Sequence, residues 1–448
     1  MSAFEKDVRN PRGETRVVDT DMLFTQAPFL EILGADLQRH QFTEDVMHQP
    51  LLLDDISEVQ ANRHFPDFSD TDYFSYDDVE AELQANLEKE LAAFEPIEYA
   101  PITVSDINCK WKYSSAMQKS IRRGFVSDAV KYALVFHRLD STAFWTRLVL
   151  VGAEDVGLGG VMELALTLIA AKSKAWRRKV GEENVVQFIV QMLTRSVKDR
   201  SCTDYMISLW YTARKQKDLS LLKTATLPEL SGFVLSEKNS TAFRTSAAWI
   251  LSGAKYENKN LPLRLVTSKE ILISTIAAMK IPALIKYVCL RGLTASRYPM
   301  PLMLPFLWQM KQKSIFFSVE RATFPERYYI GGLPSESWDQ YVREGKSSLA
   351  YFGKACRPVD DWLTQRGIIS RDARVAALGA AVFIFEGAML DRTLIFEGSS
   401  EITETAEKYD YANAGLSLDD GRALARMIEA NSDILRQSRI RIVTEERG

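Results

Sequence analysis

Few residues in this chain have the chemistry and spacing to form a reactive site. Glu154-Asp155 and Asp360-Asp361 are adjacent carboxylate pairs, and burial can split such a pair into an acid and a base. Adjacent residues on a helix point in different directions, however, which weakens both pairs as acid–base couples. His137 lies in an amphipathic segment, where a histidine satisfied by core or edge contacts is commoner than a base. With four histidines in the chain, three of them near the N-terminus, no Ser-His-Asp or Cys-His arrangement assembles. A phosphate cradle needs a glycine-rich turn after an apolar strand, with a lysine to reach the phosphate. Gly345-Lys346-Ser347 has Gln340 where the first glycine belongs and no such strand before it. Leu51-Leu52-Leu53-Asp54-Asp55 imitates the acidic strand of a nucleotide hydrolase, but no phosphate loop precedes it. These residues point away from an ATPase and call for no cofactor. Cys109, Cys202, Cys289 and Cys356 are far apart with no CxxC pair, so neither a zinc site nor a disulfide framework is expected.

Cations are more suggestive. Lys112, Lys119, Arg122 and Arg123 form one group, Lys172, Lys174, Arg177, Arg178 and Lys179 a second, and Arg195, Lys198 and Arg200 a third. Such groups neutralise phosphates without reading bases, and Lys119, Arg122, Arg123, Arg177, Arg178 and Lys179 are the candidate nucleic-acid contacts. A solvated helix face is the commoner origin of such clusters. The net charge of −3 excludes a dedicated nucleic-acid coat protein. Trp111, Trp145, Trp176 and Trp210 suit core or interface anchoring better than base stacking.

The elements that must carry these side chains read as antiparallel helices. Ala129, Tyr132, Ala133 and Phe136 share one helical face. The same spacing recurs at Val161, Leu164, Ala165 and Leu168, at Val185, Phe188, Ile189 and Met192, and at Met206, Leu209, Trp210 and Ala213. Breaks are expected at Gly124, at Gly157-Leu158-Gly159-Gly160 and at Gly181, with Ser127 and Asp140-Ser141 as N-caps. Short loops between such helices make a bundle.

Lys119-Ser120-Ile121-Arg122, Asp128-Ala129, Tyr132, Arg147-Leu148-Val149 and Glu154-Asp155-Val156-Gly157 follow one another in an order that resembles a known domain. It is the helical domain behind the ATPase of the replication-associated recombination proteins (the RarA, MgsA and Werner-helicase-interacting family), a relative of the clamp-loader collar. The resemblance continues at Gly181 and at Arg200-Ser201 followed by Tyr205, where the family carries Lys-Ser-Asn, and it covers roughly a quarter of the chain. Arg147, Glu154, Asp155 and Gly157 are its most specific part. It implies an oligomerisation module associated with DNA replication or repair, here without its ATPase domain. On this reading the partners are further copies or a larger complex, DNA, and a separate ATPase subunit. Taken as residues alone, Arg147 and Asp155 are equally an internal ion pair, and Gly157 a helix stop.

The chain's length argues for more than one domain. We read residues 1–108 as an arm followed by an acidic, aromatic-containing segment, and 109–224 as the collar-like bundle. Residues 225–315 read as a helical continuation and 316–448 as loop-rich and helical. From Thr43 to Glu98 the acidic stretch is a solvated connector ending in a helix over Val79 to Phe94, or a strap over the basic bundle. Helices are expected over Ala242 to Gly253, Lys269 to Lys280, Pro282 to Gly292, Arg371 to Asp391 and Leu418 to Arg436, with Ser370 and Ser417 as caps. Tyr328 to Pro334 reads as an extended segment with a turn, inside an irregular stretch from Phe316 to Asp361. The N-terminus lacks an apolar signal core, and the apolar run from Leu378 to Leu390 contains Glu386 and is too short to span a bilayer. The expected fold is mainly α, a helical bundle with additional helices and a short extended segment. The expected protein is intracellular and cytoplasmic, with no membrane contact. The leading function is a non-catalytic oligomeric scaffold or accessory factor in DNA replication or repair. An enzyme acting on nucleic acid or nucleotides, with its site in 328–361, and a structural assembly protein are the alternatives.

Overall fold

The computed structural model describes residues 74–99, 102, 104, 109–212, 219–254, 268–296 and 298–445. The N-terminal arm, the helix expected from Met22 and most of the acidic stretch lie outside the described residues.

The chain enters through helix α1 (Tyr76–Ala92), capped by the Ser75 hydroxyl, which accepts from the Asp78 amide. Val79, Leu83 and Leu87, spaced four apart, are its buried stripe. The expected bundle follows as α2 (Lys110–Arg122), α3 (Val126–Leu139), α4 (Ser141–Val151), α5 (Val161–Lys172), α6 (Lys174–Val180), α7 (Glu182–Arg195) and α8 (Ser201–Thr212). Ala129, Tyr132, Ala133 and Phe136 are wholly buried, as are Val185 and Ile189. Gly124 and Gly181 take the positive φ of +73° and +100° that ends a helix. Asp140 caps α4, its carboxylate accepting from the Ala143 amide. Ser127 does not cap α3, which starts one residue earlier at Val126 with no side-chain cap.

The helical continuation comprises α9 (Leu219–Thr224), α10 (Leu227–Leu235), α11 (Thr241–Ser252), α12 (Lys269–Ala278), α13 (Ala283–Ser296) and α14 (Leu304–Lys313). A capping box starts α10, where Thr226 and Glu229 satisfy each other's free amides. The strand β1 (Phe317–Glu320) comes next, then a tight hairpin of β2 (Tyr329–Ile330) and β3 (Leu333–Pro334) turned by Gly331 and Gly332, both at positive φ. The irregular stretch expected to reach Asp361 ends sooner, because α15 (Arg343–Ala355) and α16 (Arg357–Gln365) are helices, with Pro358 in the first turn of α16. The chain closes with α17 (Arg371–Val382), β4 (Thr393–Phe396), α18 (Ser399–Asn413), α19 (Leu418–Glu429) and α20 (Ser432–Glu445), with Ser370 and Ser417 as caps. β1 and β4 pair antiparallel, Phe317 opposite Phe396 and Val319 opposite Leu394. The fold is mainly α, its described residues holding only these short strands.

One hydrophobic core runs from α1 through the bundle and α13 to Leu394 and Phe396. A second gathers Leu349, Phe352, Val359, Leu363, Leu378, Leu424 and Ile428 from α15, α16, α17 and α19. Among the described residues no helix is long and apolar enough to cross a membrane, and no group of side chains could hold a metal ion. All four cysteines are free thiols.

Candidate functional site: a charge network between two π-helical turns

Two segments leave the α-helical hydrogen-bond pattern for the wider π form, Gly152–Val156 after α4 and Phe383–Gly387 after α17. Such turns recur at functional positions because they swing side chains off the regular helix face. Here the first presents Glu154 and Asp155, the second presents Phe383 and its last carbonyl, and Arg122 from the end of α2 connects them. Its guanidinium donates to Asp155 through Nε at 2.7 Å, to Glu154 at 2.7 Å and to the Gly387 carbonyl at 2.7 Å. Arg200, in the loop before α8, donates to the same Asp155 oxygen at 2.9 Å and stands 3.3 Å from Glu154. Both arginines lie against the Phe383 ring, 5.6 and 5.5 Å from its centroid. Gln118 donates to the second Asp155 oxygen at 2.9 Å and accepts from Arg147, which lies 3.8 Å from Glu154. The sequence alternative of an Arg147–Asp155 pair is therefore corrected: Arg147 reaches Glu154 and Gln118, and Asp155 is held by Arg122 and Arg200.

Burial and charge compete throughout this cluster. Burial pushes the Glu154 carboxyl up, but Arg122, Arg147 and Arg200 outweigh it and hold it at about 2. Burial works against the charged Arg200 guanidinium, yet Asp155, Asp204 and Glu154 raise it above the ordinary arginine value. At the edge of the network the balance reverses. Asp204 on α8 is lifted by burial to about 6 despite Arg200, and Asp410 on α18 rises to about 6 for the same reason. Beneath, the wholly buried Lys198 ammonium donates to the carbonyls of Leu193, Thr194 and Ser196 at 2.9, 2.9 and 2.6 Å. These include free carbonyls at the end of α7, a cation's favoured place, yet burial, with Arg392 nearby, draws its pKa down to about 7.

Gly157 follows the first π turn at φ +46° and ψ −127°, a conformation open only to glycine. A Cβ there would stand 2.7 Å from the Asp199 carbonyl. This close approach lets the Asp199 amide bond the Asp155 carbonyl at 3.0 Å and the Asp199 carboxylate accept from the Leu158 amide at 2.9 Å. Gly157 is thus a helix stop and also a contact point between the two loops that carry Asp155 and Arg200.

Of the six candidate nucleic-acid contacts, four belong to the interior. Lys119, Arg122, Arg123 and Arg177 are 5, 3, 5 and 3% exposed. Lys119 pairs with Asp339, and Arg123 with Glu336 at 3.3 Å and the Glu386 carbonyl at 2.6 Å. Arg177 donates to the Ala170 carbonyl at 2.6 Å and covers the Trp145 ring. Their charge is spent on the protein itself, which separates them from any phosphate. Arg178 and Lys179 are exposed, beside Lys172 and Lys174. Trp176 is an anchor, its Nε1 donating to Glu88 of α1 at 2.8 Å.

The 328–361 stretch serves the same network. Ser335, Glu336, Ser337 and Asp339 are all buried; Glu336 and Asp339 meet Arg123 and Lys119 of α2, and Arg327 bridges Glu336 at 2.9 Å and Asp128 at 2.7 Å. Gly345 sits in the first turn of α15, where a Cβ would fall 1.8 Å from the Asp339 carbonyl. It packs on backbone and forms no phosphate loop. Asp360 pairs with Arg374, and exposed Asp361 lies 3.7 Å from Arg357. His137 is satisfied at the edge of an aromatic cluster, 3.2 Å from Glu182 and 3.0 Å from the Ser141 hydroxyl.

Sequence reasoning left Gln118, Phe383, Glu386, Asp204 and Asp410 out of the site. Arg200 had a signal, since it stands in the third basic group and within the resemblance. Phe383 and Gly387 had none, being separated from Arg122 by most of the chain. Chemically, the arrangement is a lock in which cations face carboxylates. No protein-family model, curated protein or solved structure matches this chain.

Proposed function

We propose that this chain is a non-catalytic oligomeric scaffold or accessory factor in DNA replication or repair, built like a clamp-loader collar subunit without its own ATPase. One observation carries the reading. Arg122, Arg147, Glu154, Asp155 and Arg200, five of the seven charged residues of the family resemblance, converge on one network although they come from four separate elements. Side chains that hold helices together suit a module whose work is assembly, with nucleotide chemistry left to a separate subunit inside the cell. DNA contact on this reading falls to the exposed corner of Lys172, Lys174, Arg178 and Lys179, with salt-sensitive, sequence-independent affinity.

The test is the solution mass of the full chain by light scattering, with and without short duplex and single-stranded DNA, across a salt series. The expected result is a defined oligomer whose mass shifts with DNA and loses that shift as salt rises. A monomer indifferent to both DNAs overturns the proposal.

A further inference from the structure

Helices α1 and α6 enclose a surface cleft of about 310 Å³ at the basic corner, and each gives it one wall. Glu88, Leu91 and Ala92 of α1 line one side, Trp176, Lys179 and Val180 of α6 the other. Both triplets follow the i, i+3, i+4 spacing of a single helical face. The indole edge is pinned, because Trp176 Nε1 donates to the Glu88 carboxylate at 2.8 Å. Gln84 donates to the same carboxylate oxygen at 2.8 Å, and the two donors hold the Glu88 carboxyl below its usual range. Leu91, Ala92, Trp176 and Val180 make the lining mostly apolar, and a volume at the lower end of ligand sites suits one small planar group. Cations flank the opening. Lys174 and Arg178, four apart, form a second stripe of α6 and are exposed, as are Lys172 and Lys179. Of the α1 carboxylates, Glu80 pairs with Lys172, an exposed bridge that is exchanged at little cost.

We infer that the α1–α6 cleft takes one unpaired nucleobase, so that the basic corner binds single-stranded DNA in preference to duplex. This deepens the DNA contact proposed above and rests on it. The chemistry of the corner selects the occupant. Cations alone hold any phosphate backbone, and a duplex keeps its bases stacked inside. A strand with free bases meets both halves of the corner at once, its phosphates on Lys172, Lys174 and Arg178 and one base beside Trp176. Such a pairing of a cationic surface with an aromatic side chain is how single strands are held. The Glu88 carboxylate repels a phosphate from the cleft itself, so the ring enters and the backbone stays on the surrounding cations. Every base has a π-face, so the cleft adds affinity without reading sequence.

The test measures fluorescence anisotropy of labelled strands with the full chain, comparing a thymidine oligomer with an abasic strand of the same length and phosphate count. The parent is expected to bind the thymidine strand at least about tenfold tighter than the abasic one, the gain of a stacked base, and to prefer it to a duplex of equal phosphate count. Trp176→Leu removes the ring, and Ala92→Leu fills the cleft from an exposed position with Trp176 in place. Each variant should bring the two strands within about twofold of each other with unchanged circular dichroism; A92L decides alone if loss of the Glu88 bond unfolds W176L. Equal binding of the two strands by the parent, or a folded variant that keeps the gap, overturns the base-binding cleft while the DNA contact stands. A parent that binds no strand at low salt overturns both.

Discussion

Asp155→Asn is the sharpest probe of the charge network. Asp155 is wholly buried and receives Arg122, Arg200 and Gln118 at 2.7, 2.9 and 2.9 Å. The amide keeps the shape but removes the charge, and leaves two guanidiniums sharing Glu154. Breaking a buried pair from one side costs about 3–5 kcal/mol. With an unfolding entropy of ~2.1 cal/mol/K per residue over roughly 350 ordered residues, that is a fall in calorimetric midpoint of about 4–7 °C. Arg122→Met should cost a similar amount, because it takes a cation from both carboxylates and leaves the Gly387 carbonyl without its donor. The decisive measurement is the double variant with Asp155→Asn and Arg122→Met. Removing both partners leaves Arg200 with Glu154, so the double loss should be about 2–3 kcal/mol smaller than the sum of the single losses, as residues in one network couple. Strict additivity, or an Asp155→Asn loss under about 0.5 kcal/mol, would refute the claim that these charges act as one lock.

Four further outcomes follow from the same geometry. Gly157→Ala forces a Cβ onto the Asp199 carbonyl in a glycine-only conformation; a loss of about 2–4 kcal/mol in denaturant melts is expected, and a neutral effect refutes the role given to Gly157. Glu154 is depressed to about 2 from an ordinary 4.5, so its contribution is whole above pH 4.5 and is lost as pH falls toward 2; Glu154→Gln should flatten the acid limb of the stability curve there. Lys198 is lowered from 10.5 to about 7, so the folded state releases its proton first and stability rises with pH between 7 and 10.5; Lys198→Met should abolish that slope in midpoints measured across the range. Lys172→Glu combined with Arg178→Glu and Lys179→Glu should weaken any DNA binding and lower its salt slope without moving the melting midpoint, whereas Lys119→Met and Arg177→Met should move the midpoint.

Local pattern decided what could be read from sequence. The helical faces of α3, α5 and α7 repeat at the spacing of a buried stripe, and they are buried except at Val161, which is partly covered. Asp140, Ser370 and Ser417 were legible as caps because one residue type in one position satisfies a free amide. Arg343 to Gln365 was harder, since two helices are interrupted only at Cys356 and carry loop-like Gly-Lys-Ser and Arg-Pro dipeptides. The site divides in the same way. Arg122, Arg147, Glu154 and Asp155 were legible as a set through their order along the chain. The π turns were not, because a wider turn adds one residue to a helix without changing its composition. Nor was the destination of Lys119 and Arg123, whose partners Asp339, Glu336 and Glu386 lie more than two hundred residues away.

Those distant partners change what the basic face of α2 can do. Lys112, Lys119, Arg122 and Arg123 look from sequence like a phosphate-binding strip, but the C-terminal region supplies its own acceptors to them: the carboxylates of Glu344, Asp339 and Glu336 and the carbonyls of Glu386 and Gly387. The bundle of residues 109–224 is therefore not self-contained, since its charged face is closed by segments beyond it. A polyanion would have to displace buried, hydrogen-bonded carboxylates to reach α2, at the cost of breaking several buried pairs at once. The α6 corner stands differently, with Arg178 and Lys179 exposed and Glu80 and Glu88 of α1 contacting Lys172 and Trp176. If the proposed function holds, a nucleic acid would compete with α1 at that corner, where exposed charges are exchanged at little cost.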